Sequence, residues 1–252
     1  MVVFTFAALA LLALLTAACG GDDDASSKTT SAGGTTANGT PSGNSGSKTA
    51  SADATGGGNA TGSGVDDLKN AAKNFKNQNF KITYDATMTD SDGKVTTGTL
   101  VMAQKGSSSS FSATNLVEDG GSVTFINDGK DSYICTDTPE KTCLKTTSAS
   151  GGADPLGAFS PAEILSGLDG DGAKVDKVAD QTIAGHSAKC YKATDTTGGG
   201  TICLDKKTSY ILSVDGDETD GTKTKLTAKN ISDSPSDNDF KPPYAVKSIS
   251  GQ

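Results

Sequence analysis

The chain has 252 residues, 22 of them lysine, with no arginine, no tryptophan, a single histidine and a formal net charge of -8. An acidic chain without a guanidinium lacks the bidentate fork that reads phosphates and base edges, and its sign opposes the electrostatic attraction that drives nucleic-acid binding. Nucleic acid is therefore excluded as a partner.

The chain opens on an uncharged apolar run, Val2 to Ala18, broken only by Thr5 and Thr16 and ending in small residues directly before Cys19. This is the layout of a signal-peptide core and cleavage region, and it falls short of the roughly 20 apolar residues of a membrane-spanning helix. Leu15-Thr16-Ala17-Ala18-Cys19 resembles the bacterial lipobox, in which the cysteine receives diacylglyceride before cleavage. The resemblance implies a signal peptide over 1–18 and Cys19 as the lipid-bearing first residue of the mature chain, attached to membrane lipid through its covalent anchor. Thr16 stands where the motif usually has leucine, and no lysine or arginine precedes Cys19. Five cysteines leave one over once pairs form, and Cys19 is placed to be that one.

From 19 to 64 the chain is almost wholly Gly, Ser, Thr, Ala, Asn and Asp. Such a segment buries too little apolar surface to offset its ordering entropy. It is expected to act as a flexible tether, holding the rest of the chain on the order of 35 to 40 Å from the lipid. Asp22-Asp23-Asp24 within it is a solvated block without a shell of oxygen ligands.

Residues 65–252 are enough for one domain with its own core. Leu68, Ala71, Ala72 and Phe75 recur at helical spacing and predict a helix from Val65 to about Gln78. The period then falls to two. Alternation begins at Phe80-Ile82-Tyr84 and continues through Val95 to Lys105, Ser108 to Leu116, Ser122 to Asn127 and Asp131 to Thr136, with a hairpin signal at Asn127-Asp128-Gly129. Ser160-Pro161-Ala162-Glu163 carries a capping box and a proline at the first helical position, predicting a short helix to Leu168. Strands follow at Lys174 to Asp180, His186 to Thr194, Thr201 to Leu204, Tyr210 to Asp215 and Lys223 to Ile231.

Cys135 and Cys143 flank one predicted turn, and Cys190 and Cys203 flank another. Pairing 135 with 143 and 190 with 203 closes the shortest loops and is preferred over the other two connectivities, each bond contributing roughly 2 to 3 kcal/mol. No Cys-x-x-Cys knuckle supports zinc, and a secreted chain meets oxidising conditions.

The order of helix, F-x-I-x-Y strand (Phe80 to Tyr84), Ile183 to Tyr191, Cys203-Leu204-Asp205 and the late Phe240-Lys241-Pro242-Pro243 resembles the LolA/LolB-like half-barrel lipoproteins. The likeness is nearest to the mycobacterial LppX/LprG-type lipid carriers. It covers Leu68 to about Val246 and implies a mainly β fold with α: a strongly curved antiparallel sheet, or half-barrel, wrapped around a few helices. It also implies a lipid or glycolipid ligand in an apolar cavity. Candidate lining residues are Phe80, Ile82, Tyr84, Leu100, Met102, Phe111, Phe125, Ile134, Tyr191 and Ile211, with Val123, Ile183, Ile202 and Val214 beside them; the same residues are equally able to form an ordinary core. The competing reading is a non-enzymatic structural or protein-interaction lipoprotein of the envelope.

No catalytic residues, cofactor or metal ligands are expected. His186 has no G-x-S-x-G elbow to serve, and Ser187 beside it points to the other side of a strand. Gly198-Gly199-Gly200 lacks the lysine of a phosphate loop. Asp169-Gly170-Asp171-Gly172 and Asp215-Gly216-Asp217-Glu218 do not meet the twelve-position calcium hand, leaving weak calcium binding as the faintest reading and acidic turns as the plain one.

Overall fold

The structure, a computed structural model, describes residues 61–75, 78–117, 120–146, 156, 160, 164 and 173–248. The expected signal peptide, Cys19, the expected tether as far as residue 60 and the Asp169 to Gly172 run lie outside the described residues. So does the helix expected over 160–168, apart from Ser160 and Ile164, where the Ile164 N–H donates to the Ser160 carbonyl at 3.1 Å.

One α-helix, α1 (Val65–Phe75), and twelve strands make up the regular structure among the described residues. The helix places Asp66 and Asp67 in its first turn and Lys73 in its last, matching its dipole, and buries Val65, Leu68, Ala71 and Phe75 along one stripe. Strands β1 (Phe80–Thr89), β2 (Val95–Lys105), β3 (Ser108–Thr114), β4 (Ser122–Asn127), β5 (Ser132–Thr136) and β6 (Thr142–Thr146) form one meander. A second meander contains β7 (Lys174–Ile183), β8 (His186–Thr194), β9 (Gly198–Asp205), β10 (Ile211–Glu218) and β11 (Lys223–Ser232). Antiparallel pairing of β1 with β11 joins the two, and β12 (Val246–Ser248) adds in parallel to β6.

The expected half-barrel is corrected by this topology. The twelve strands form a single sheet in the order β12-β6-β5-β4-β3-β2-β1-β11-β10-β9-β8-β7, open at β12 and β7 and not strongly curved, and among the described residues one α-helix rather than a few packs on it. The physical reason lies in the distribution of apolar groups. A sheet that wraps its helices concentrates apolar side chains on one concave face, whereas here both faces hold them. The helix face carries the main cluster, built from Leu68, Phe75, Phe80, Ile82, Tyr84, Met102, Phe111 and their neighbours. A smaller cluster of Ala103, Ile126, Cys135 and Cys143 is covered by Phe240, which ends a 3-10 turn at Asp237–Phe240. Strand alternation puts Ala103, Ile126 and Cys135 on the face opposite Met102, Phe125 and Ile134. A Ser236 capping box holds that turn, with Asp239 returning a carboxylate to the Ser236 N–H at 2.8 Å.

The β7 edge is partly covered by Thr61 to Gly64. The Val175 N–H donates to the Thr61 carbonyl at 2.7 Å, and the Gly64 N–H donates to the Val175 carbonyl at 2.9 Å. Only glycine fits at Gly64, since a Cβ there would sit 2.7 Å from the Tyr191 ring and 2.8 Å from the Val175 side chain.

Candidate binding cleft

The polar side of α1 faces the ends of β8 and β9 across a cleft of about 210 Å³. Asp67, Asn70 and Asn74 contribute from the helix, and Lys189 and Tyr191 from β8. Leu204 and Asp205 come from β9, and Lys206 and Ser209 from the turn that follows, while Ala71 adds an apolar wall. Positions 67, 70 and 74 follow the helical period, so the side of α1 that turns away from the core becomes one wall of the cleft.

Asp67 anchors the arrangement. Its Oδ2 accepts from the Tyr191 hydroxyl at 3.0 Å and from the Lys177 ammonium at 3.0 Å, with Lys189 further off at 3.8 Å. The Lys177 contact is foremost in holding the Asp67 carboxyl below the usual carboxylate range; partial burial pushes the other way, and the Tyr191 hydroxyl and Lys189 charge restore the direction. Burial, then the Asp67 contact, raises the Tyr191 hydroxyl above the ordinary tyrosine value.

At the other end Asp205, 5% exposed, organises the β9–β10 turn. Its Oδ1 accepts the Lys207 and Thr208 N–H groups at 2.7 and 2.8 Å, and its Oδ2 lies 2.7 Å from His186 Nδ1. Burial works to raise the Asp205 carboxyl, but the Thr208 and Lys207 N–H groups and His186 outweigh it and hold it below the usual range. A carboxylate only accepts, so the imidazole carries its proton on Nδ1. His186 is thus held by a carboxylate that itself supports a turn. Among the described residues no group of three or more His, Cys, Asp or Glu is disposed to hold a metal ion.

The candidate cavity residues are distributed differently from a ligand site. Phe80, Ile82, Tyr84, Leu100, Met102, Phe111, Tyr191 and Ile211 are all buried members of the main cluster, with Phe125 and Ile134 half-buried against it. Val123, Ile183, Ile202 and Val214 join the same cluster. Tyr84 turns its hydroxyl to the Ile211 carbonyl at 2.7 Å. Of these fourteen, only Tyr191 reaches the cleft. The other cleft residues were missed; the one signal for them was the polar stripe Asp67-Asn70-Asn74 beside the apolar stripe of α1. The Asp215 to Glu218 segment is not a turn but the end of β10, paired with Gly198 to Thr201 and with Asp217 held by Lys223 at 2.8 Å.

Both disulfides are present, Cys135–Cys143 and Cys190–Cys203, each joining directly opposed residues of neighbouring antiparallel strands with Cα atoms 4.0 and 4.1 Å apart. No helix among the described residues is long and apolar enough to cross a membrane.

No protein-family model matches the chain, and no curated protein does. Among solved structures, MucB, known also from a Pseudomonas aeruginosa complex with MucA, is 14% identical with a TM-score of 0.46; the match covers 70% of this chain and 62% of MucB. LppX of Mycobacterium tuberculosis is 12% identical with a TM-score of 0.40, over 68% of this chain and 96% of that one. A LolA-superfamily protein of Nitrosomonas europaea is 9% identical with a TM-score of 0.31, over 70% and 97% of the two chains. These structures resemble the chain in part, at low identity, and TM-scores below 0.5 assign it neither family nor role.

Proposed function

We propose that this protein is a lipid-anchored, extracytoplasmic lipoprotein of the cell envelope that acts by non-enzymatic recognition rather than by carrying lipid. One observation carries the choice. The residues available to line an apolar cavity are committed to a packed core, and the cleft on the helix face is walled mainly by charged and amide side chains. A lipid site needs the reverse, a concave surface with surplus apolar side chains. Anchoring follows from Cys19 behind its apolar leader, with the following Gly- and Ser-rich stretch as tether and the remainder as a single folded unit.

Native mass spectrometry of the full-length protein extracted from membranes tests this reading. The expected spectrum shows the chain with its covalent acyl groups and nothing else. A stoichiometric, exchangeable acyl lipid retained without covalent attachment would restore the lipid-carrier reading. Replacement Cys19→Ser is expected to abolish incorporation of labelled fatty acid; a variant that still incorporates it places the anchor elsewhere.

A further inference from the structure

We infer that the cleft between α1 and the β8–β9 end binds an uncharged, hydroxyl-rich ligand, a single sugar unit or the end of a glycan. The inference rests on the recognition reading above and gives it a ligand class.

Three properties of the cleft point that way. Its volume of about 210 Å³ lies below the roughly 300–1,000 Å³ of pockets for drug-sized ligands, so it takes a single ring rather than an extended chain. The formal charges of its lining residues balance, Asp67 and Asp205 against Lys189 and Lys206. Its open hydrogen-bonding groups are of both kinds. The Asn70 and Asn74 amides and the Ser209 hydroxyl make no side-chain hydrogen bond among the described residues, and each both donates and accepts. Lys189, at 3.8 Å from Asp67, is beyond hydrogen-bond distance and keeps its donors available, whereas Lys206 is occupied by Asp180 at 2.6 Å. A polyol needs this alternation of donors and acceptors, because each hydroxyl gives one hydrogen bond while accepting others.

The test is saturation-transfer NMR on the full-length protein in a detergent without a sugar headgroup, using the methyl α-glycosides of glucose, mannose and galactose, with glucuronate and inorganic phosphate as charged probes. Saturable transfer to at least one neutral glycoside is expected. The double variant Asn70→Leu/Asn74→Leu should weaken it about tenfold or more, since two hydrogen-bonding side chains are lost. Both positions are exposed on the helix and leucine is the better helix former, so the variant should melt no lower than the parent. Binding of phosphate or glucuronate alone would make the cleft an anion site and overturn the inference. So would the absence of transfer to every glycoside, or transfer unchanged in a well-folded double variant. These failures leave the recognition reading standing, because that reading falls only to a retained noncovalent lipid.

Discussion

Tyr191 and Asp67, 124 residues apart, meet through a 3.0 Å hydrogen bond that ties β8 to the first turn of α1. The helix is also held by its apolar stripe and by Gln78, whose Nε2 donates to the Asn74 and Thr208 carbonyls at 2.9 and 2.8 Å, while the Tyr191 contact and the Lys177–Asp67 ion pair fix its first turn over the sheet.

Tyr191→Phe keeps the ring in the core and removes only the hydroxyl. A hydrogen bond to a charged acceptor contributes about 1.5 kcal/mol or more, corresponding to a fall in melting temperature of about 3 to 6 °C. The pH dependence has a definite sign. The Asp67 carboxyl is depressed in the folded state, so its contribution is present above its unfolded value of 3.8 and is lost as pH falls through the lower folded value. The gap between parent and variant is therefore expected to be full at neutral pH and to narrow below pH 3.8. A gap that widens on acidification would show that Asp67 is not the partner that matters.

Tyr84→Phe tests a second long-range tie. The pairing of β10 with β9 shifts register between Ile211 and Ser213, a local irregularity of the ladder. The Tyr84 hydroxyl donates to the Ile211 carbonyl at 2.7 Å, and full burial pushes that hydroxyl's pKa well above the ordinary value. Without the donor a buried carbonyl is orphaned, at a cost of about 1 to 3 kcal/mol. Urea unfolding should register that loss with an unchanged slope; no loss would mean that the carbonyl finds another donor.

Much of the strand pattern was legible because alternation is a local property. The spans Val95–Lys105, Ser122–Asn127 and His186–Thr194 match their expected bounds. Strands β6 and β12 were not marked: β12 is three residues long, and β6 sets Cys143 directly beside Leu144, which breaks the apolar-polar alternation. The end of β10 was hidden because Asp215-Gly216-Asp217 has the composition of a turn, yet it lies opposite Thr201, Gly200 and Gly199, where the missing glycine side chains let the backbones approach. The cleft was illegible for a different reason. Asp67 and Asp205 share it only because the β9–β10 turn returns beside α1, and no periodicity in the chain encodes that meeting. The apolar residues of the strands face inward, and composition does not distinguish a filled interior from a lined cavity.

Ala184→Asn should stabilise the protein. Ala184 and Gly185 join β7 to β8 with φ values of 50° and 81°, the two left-handed residues of a type I′ turn between Ile183 and His186. Alanine occupies that region at a cost of about 1 to 2 kcal/mol, which asparagine largely avoids. A gain of about 0.5 to 1 kcal/mol is expected from Asn-Gly at this position. Thermal unfolding would measure it, and a loss instead would mean that the methyl group packs against something asparagine displaces.

The two disulfides should contribute separately. Cys135–Cys143 spans 8 positions and Cys190–Cys203 spans 13. Loop entropy gives each bond about 2 to 3 kcal/mol, the longer loop slightly more. They belong to different hydrophobic clusters and different strand pairs, so Cys135→Ala/Cys143→Ala and Cys190→Ala/Cys203→Ala are expected to add within about 0.5 kcal/mol when combined. Urea unfolding of the two double variants and the quadruple variant measures this. Strong non-additivity would show that the two halves of the sheet communicate through β1 and β11 more tightly than their separate clusters imply. Peptide mapping without reductant supplies an independent check, because a 135–190 or 143–203 linkage in the parent protein would contradict the direct cross-strand opposition of each pair.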